Sequence, residues 1–177
     1  MTVLSSAVRP MVSLAEAKAF LRLDSDSEDA LLAGLIRTAS ALCEAFLNQV
    51  VLTREFAERM PGGQGWLRLA VQPVRSIKIV QIVQADGEAL PVPSDQYKVW
   101  IDSEGRAAVH LPAAGSRLLE CHGLAGLAAD MSDVPEPLRQ GTLRLVAHLF
   151  TSRDGSGGEP PAAVTALWRP YRRLRIA

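Results

Sequence analysis

The chain has 177 residues, 48% of them hydrophobic, with 19 basic side chains balanced by 19 acidic ones. A chain of this length buries roughly 70% of its unfolded surface, so it needs no disulfide staples and fits one domain, or one domain with an insertion. A net charge of zero excludes a global electrostatic pull toward nucleic acid or membrane, and it leaves little self-repulsion to oppose association with partners.

Residues 1–12 carry no periodicity and read as loose. They lack the apolar stretch of a signal peptide, and no apolar run in the chain approaches the ~18 residues of a membrane span. The expected location is therefore the cytoplasm, or a particle assembled there. Ser13-Leu14-Ala15-Glu16 reads as a capping box, in which the serine oxygen and the glutamate satisfy each other's free backbone N–H groups. A short helix follows to about Leu21, then the polar break Asp24-Ser25-Asp26-Ser27. The next helix runs from about Glu28 to Leu47. Leu31, Leu32, Leu35, Ile36, Ala39, Leu42, Cys43, Phe46 and Leu47 share one face, an arc of roughly 160°, wider than a surface helix requires. Gly34, Arg37, Ser40, Glu44 and Asn48 occupy the other.

From Val50 to about Gly123 the period changes to that of strands. Val51–Arg59, Trp66–Val71, Ser76–Val83, Tyr97–Ile101, Ala107–Leu111 and Arg117–His122 read as strands. Asp86-Gly87 and Asp102-Ser103-Glu104-Gly105 supply hairpin turns, and Pro91, Pro93 and Pro112 fall at strand ends or edges. Pro135 and Pro137 open a third helix, about Glu136 to Arg153, because proline is tolerated where N–H groups lack partners. Its apolar residues form two stripes: Leu138, Thr142, Leu145 and Leu149, then Leu143, Val146 and Phe150. A glycine loop spans Asp154–Glu159, and a fourth short helix runs from Pro161 to about Trp168. The fold class is α+β: a helical core with an inserted antiparallel β-rich region. The wide apolar arcs require cover from several directions, which the insert, the other helices or a neighbouring copy can supply.

No residue pattern nominates a catalytic or metal site. The acidic run from Asp24 lacks the glycine and the closing acid of a calcium loop, holding Asp29 and Leu35 at those positions. His110, His122 and His148 stand in no metal-ligand spacing. There is no nucleophile elbow, phosphate loop or dinucleotide fingerprint. No cofactor is expected. Cys43 and Cys121 read as reduced, mostly buried thiols, with one disulfide between them left open. The tail places Arg169, Arg172, Arg173 and Arg175 beside Trp168 and Tyr171 with no acid among them. Three readings fit it: an arm anchoring on an acidic or apolar partner surface, contact with phosphates, or a solvated end.

Three stretches together resemble the head-tail connector (adaptor) proteins of long-tailed phages, prophages and gene transfer agents. They are Ser13–Leu23 with the helix after it, Val134-Pro135-Glu136-Pro137-Leu138-Arg139-Gln140 leading to Leu145–Phe150, and Pro161-Ala162-Ala163-Val164 with the closing Leu167–Arg173. The resemblance implies a single connector domain over residues 1–177, with no catalysis. It implies a ring of twelve identical copies beneath the portal, passing DNA through its lumen without sequence reading and meeting a tail-completion (stopper) protein. It further implies portal docking by Trp168, Arg169, Tyr171, Arg172, Arg173 and Arg175, on an arm that orders on assembly. Subunit packing is expected on the second and third helices, with Leu143, Val146 and Phe150 as candidates. The runner-up is a small monomeric binding module with a pocket in the β-rich insert.

Overall fold

The computed structural model describes residues 2–4, 7–112, 114–152 and 160–173. Arg153, the glycine loop and Arg175 lie outside them. The chain divides into two compact units. A helical unit comprises Val8–Leu52 and Ala128–Ala177, and a β unit comprises Met1–Ala7 and Thr53–Leu127. The chain passes between them three times, after residues 7, 52 and 127.

The helical unit contains α1 (Leu14–Leu21), α2 (Asp29–Leu47), α3 (Glu136–Thr151) and α4 (Ala162–Trp168). The capping box forms as expected: the Glu16 amide donates to Ser13 Oγ at 3.2 Å, and the Ser13 amide donates to Glu16 Oε2 at 2.8 Å. Glu16 also reaches Arg139 on α3, so the cap of α1 doubles as a tie to a second helix. The polar break is held by Lys18, whose ammonium pairs with Asp26 and, at 2.9 Å, with Asp29. A lysine thus occupies the place that a calcium reading would give to a cation.

α2 differs from expectation in which face it buries. It is long and apolar enough by composition to cross a membrane, with mean hydropathy 1.5. Here it is instead a core helix, burying Leu32, Ile36, Ala39, Cys43 and Leu47. Ser40 and Glu44, assigned to the polar face, are buried too, while Leu31 and Leu42 are exposed. The cause is hydrogen bonding. Ser40 Oγ accepts the buried Met11 amide at 3.1 Å, and Glu44 Oε1 accepts the Val51 amide at 2.8 Å. A buried N–H needs an acceptor, so the incoming and outgoing chain rotate the buried arc toward these two polar residues. Met11 and Val12, read as loose, are fully buried in the same core.

The β unit holds two antiparallel sheets. Its strands are β1 (Thr2–Leu4), β2 (Arg54–Pro61), β3 (Trp66–Arg68), β4 (Val74–Val83), β5 (Ala89–Pro91), β6 (Lys98–Ile101), β7 (Ala107–His110) and β8 (Leu118–Ala125). Five form one sheet in the order β1-β2-β8-β4-β5, and three form the other in the order β3-β7-β6. β1 was not foreseen; it pairs Thr2–Leu4 with Phe56–Glu58. β2 turns Arg54, Phe56, Glu58 and Met60 inward. Glu58 is buried because its carboxylate accepts the Ala70 and Val71 amides at 2.7 and 2.9 Å. Gly105 sits at φ +75°, and a Cβ there would lie 2.4 Å from that of Pro73. Glycine is required at that turn because its bare backbone accepts the Val74 amide at 2.8 Å.

Each unit contains one of the two cysteines, and both are free thiols. Burial pushes the Cys121 thiol up to about 12, with the Glu58 and Glu120 charges acting in the same direction. Burial raises Cys43 further. Both are inert at neutral pH, since the thiolate is the reactive form.

Candidate docking site

The tail residues singled out by sequence begin at the end of α4, and the structure separates them into anchor and surface. Trp168 corrects the expectation that it faces a partner: it is 0% exposed. Its ring packs on Phe46 with centroids 5.8 Å apart, and its Nε1–H donates to the Leu138 carbonyl at 3.4 Å. Gly141 on α3 makes room for it, since a Cβ at that position would fall 2.2 Å from the indole nitrogen. A large aromatic with a satisfied N–H is a core residue. Trp168 therefore fixes where the arm leaves the helical unit.

Beyond it a tight helical turn, Arg169–Tyr171, presents Arg169 and Pro170 to solvent. The Tyr171 carbonyl accepts the Gln49 side-chain amide. The Arg172 guanidinium lies 5.2 Å from the centre of the Phe46 ring, and the Arg173 amide donates to the Leu47 carbonyl at 3.0 Å. Leu47 ends α2, where the last carbonyls lack helical partners and the dipole is negative. The arm thus closes a helix end with a main-chain hydrogen bond and brings arginines to it. Through the Arg173 amide it is held on its own unit.

The subunit-packing candidates also divide. Leu143 and Val146 are buried inside the helical unit and have no surface to offer a second copy, whereas Phe150 is half-buried. On the neighbouring helices the apolar surface left open is Phe20 of α1 with Leu31 and Leu42 of α2.

The β unit has an open groove of about 870 Å³ lined by Ile82, Val83, Leu90, Pro91, Leu111 and Leu118, with Arg117 at its side. Its walls are mostly apolar, with Gln84 and Gln96 as further polar side chains at the lining. No group of three or more His, Cys, Asp or Glu side chains is gathered to hold a metal among the described residues. One surface escaped the sequence reading. The exposed face of the three-stranded sheet carries two tryptophans, and the signal for it was the i, i+2 spacing of Trp66 with Arg68 and of Lys98 with Trp100.

Residues 11–84 match the family described as Phage gp6-like head-tail connector protein, a span that runs from the start of the helical core into β4. Among solved structures, a chain from the "Neck of empty GTA particle computed with C6 symmetry" superposes with a TM-score of 0.81 at 26% identity, over 100% of this chain and 97% of that one. The chain thus resembles head-tail connectors in sequence over residues 11–84 and neck chains in fold over its whole length. A second chain, from the "Neck of native GTA particle computed with C12 symmetry", gives a TM-score of 0.76 at 26% identity with the same coverage. A third, from the "Virion of native gene transfer agent (GTA) particle", shares the fold with a TM-score of 0.80 at 24% identity, again over 100% and 97%. No curated protein matches the chain. The family and these neighbours are structural parts of a phage-like particle rather than enzymes, and the α+β architecture agrees over the full length.

Proposed function

We propose that this connector is the subunit of a ring beneath the portal, extending the DNA channel and joining the capsid to the tail of a phage or gene transfer particle. The observation that carries this reading is the full-length correspondence to neck chains at 26% identity, in necks computed with six-fold and twelve-fold symmetry. Cyclic symmetry requires heterologous contacts that close after a whole number of copies. The proposed number is twelve. The chain is made in the bacterial cytoplasm and ends in the particle, at the head-tail junction. Its proposed partners are the portal protein above, a tail-completion (stopper) protein below, and its own copies beside it; DNA passes through the lumen without being read.

Portal docking is assigned to the exposed Arg169 and Arg172 with the half-buried Tyr171 and Arg173, and to Arg175, which lies outside the described residues. Trp168 is excluded from the contact because the helical core already holds it. The test is to mix the chain with its portal ring and image the product by single-particle microscopy. A closed ring capping the portal is expected, with loss of capping in an Arg169→Glu, Arg172→Glu variant whose unfolding midpoint is unchanged. Truncation at Trp168 would be a poor test, since it removes a core side chain. A ring that survives both charge reversals moves the dock off the arm, and an unaltered chain that never caps the portal overturns the connector ring itself.

A further inference from the structure

In an antiparallel sheet, residues directly opposite one another project to the same face, as do residues two apart along a strand. In the three-stranded sheet, Trp66 of β3 is in register with His110 of β7, which is in register with Lys98 of β6. The next row is Arg68, Ala108 and Trp100. These six positions form one face, two rows of three. Trp66 and Trp100 occupy opposite corners and are 51% and 48% exposed. Arg68 and Lys98 occupy the other two corners, and both are exposed. The Trp66 ring stacks against His110 with centroids 5.5 Å apart. Among the described residues, neither Arg68 nor Lys98 has an ion-pair partner, and no carboxylate stands on this face. Two large aromatics and two unsatisfied cations on a rigid sheet have the composition of an interface hot spot, in which Trp and Arg dominate.

The complement of such a face is acidic with an apolar centre, and the chain carries one. The turn Met131–Asp133 ahead of α3 exposes the methionine side chain between Asp130 and Asp133. Neither aspartate carboxylate has a partner among the described residues, and both are exposed. Methionine makes favourable contacts with aromatic rings, and two carboxylates match two free cations. The face and the turn are different patches on one chain. A contact between them on two copies is therefore head-to-tail, the kind that propagates around a ring.

We infer that the Trp66, Arg68, Lys98, Trp100 face is the side-to-side contact of the ring, and that it receives the Asp130–Asp133 turn of the next copy. This rests on the ring reading above and adds which two surfaces meet. The tryptophans supply apolar area, and the charge pairs set register and direction, because like charges brought together here oppose closure.

The test uses two charge-reversed full-length chains: Arg68→Glu with Lys98→Glu, and Asp130→Lys with Asp133→Lys. Each is added to portal rings and counted by single-particle imaging. Alone, each variant sets like charge against like at every junction, and ring occupancy should fall by about tenfold or more, as for directly coupled pairs. An equimolar mixture offers opposite charges wherever the two kinds alternate, so it should restore complete rings. That rescue also shows that both variants are folded. The inference is overturned if the Arg68→Glu, Lys98→Glu chain closes rings by itself, or if the mixture stays open. It is equally overturned if that chain closes rings normally but the particle loses hold of its DNA, which would assign the face to nucleic acid. Failure of the unaltered chain to cap the portal would instead remove the ring reading, so the two failures are distinguishable.

Discussion

Trp168 and Gly141 depend on each other. The indole fills the space that a Cβ at position 141 would take, at 2.2 Å from its nitrogen. Gly141→Ala should cost about 1–3 kcal/mol through overpacking, and Trp168→Ala about 3–5 kcal/mol through the cavity it leaves. The decisive outcome is the combination. With the indole gone, alanine at 141 meets no obstacle and gains up to ~1 kcal/mol of helix propensity. Urea unfolding should show Gly141→Ala destabilising in the parent chain and neutral or stabilising in the Trp168→Ala background. A cost that stays the same in both backgrounds would mean the two residues are independent. Sequence placed Trp168 beside arginines and suggested a surface anchor. The glycine that receives it lies 27 positions earlier, and no local pattern connects them. That is why the tail residues were legible as a group and their division into core and surface was not.

At the level of elements, the capping box of α1 was readable to the residue, because its four members are adjacent and its chemistry is local. The tie it makes was not, because Arg139 is far along the chain. Partial burial pushes the Glu16 carboxyl up, but this is outweighed by its hydrogen bonds to the Ser13 amide and hydroxyl and by Arg139, so the net direction is down from the ordinary value of 4.5. A carboxyl depressed by folding adds stability above its unfolded value and loses it as pH falls through the folded one. Glu16→Gln should therefore destabilise the chain at neutral pH and flatten this part of its acid sensitivity, so that parent and variant converge in thermal melts below about pH 4, a limit set by the ordinary glutamate value. Curves that stay parallel down to acid pH would contradict it. α2 gives the converse lesson. Its ends were read within a residue, but its buried arc was misplaced, because apolar spacing ignores the Met11 and Val51 amides that draw Ser40 and Glu44 inward. The same rotation leaves Leu31 and Leu42 outside. The strands of the β unit were mostly legible from alternation and Asp-Gly turns. Their division into two sheets was not, since partner choice is a long-range property.

On the scale of the whole molecule, the resemblance found in three helical stretches extends over a full-length superposition with particle-neck chains. The β-rich insert, whose role had no sequence signature, contains the face on which ring closure is proposed. The route of the chain has a further consequence. Because it starts in the β unit, enters the helical unit, returns and leaves again, three separate peptide connections join the two units. A protease that severs one of them yields two fragments on a denaturing gel, yet either remaining connection still links the units covalently. Limited digestion after residue 52 should give a nicked species that migrates as one particle on a native gel. Two further breaks, after residues 7 and 127, are needed to remove every covalent link. A dissociated species after the first nick would contradict this. Such redundancy makes damage to the backbone local in its effects.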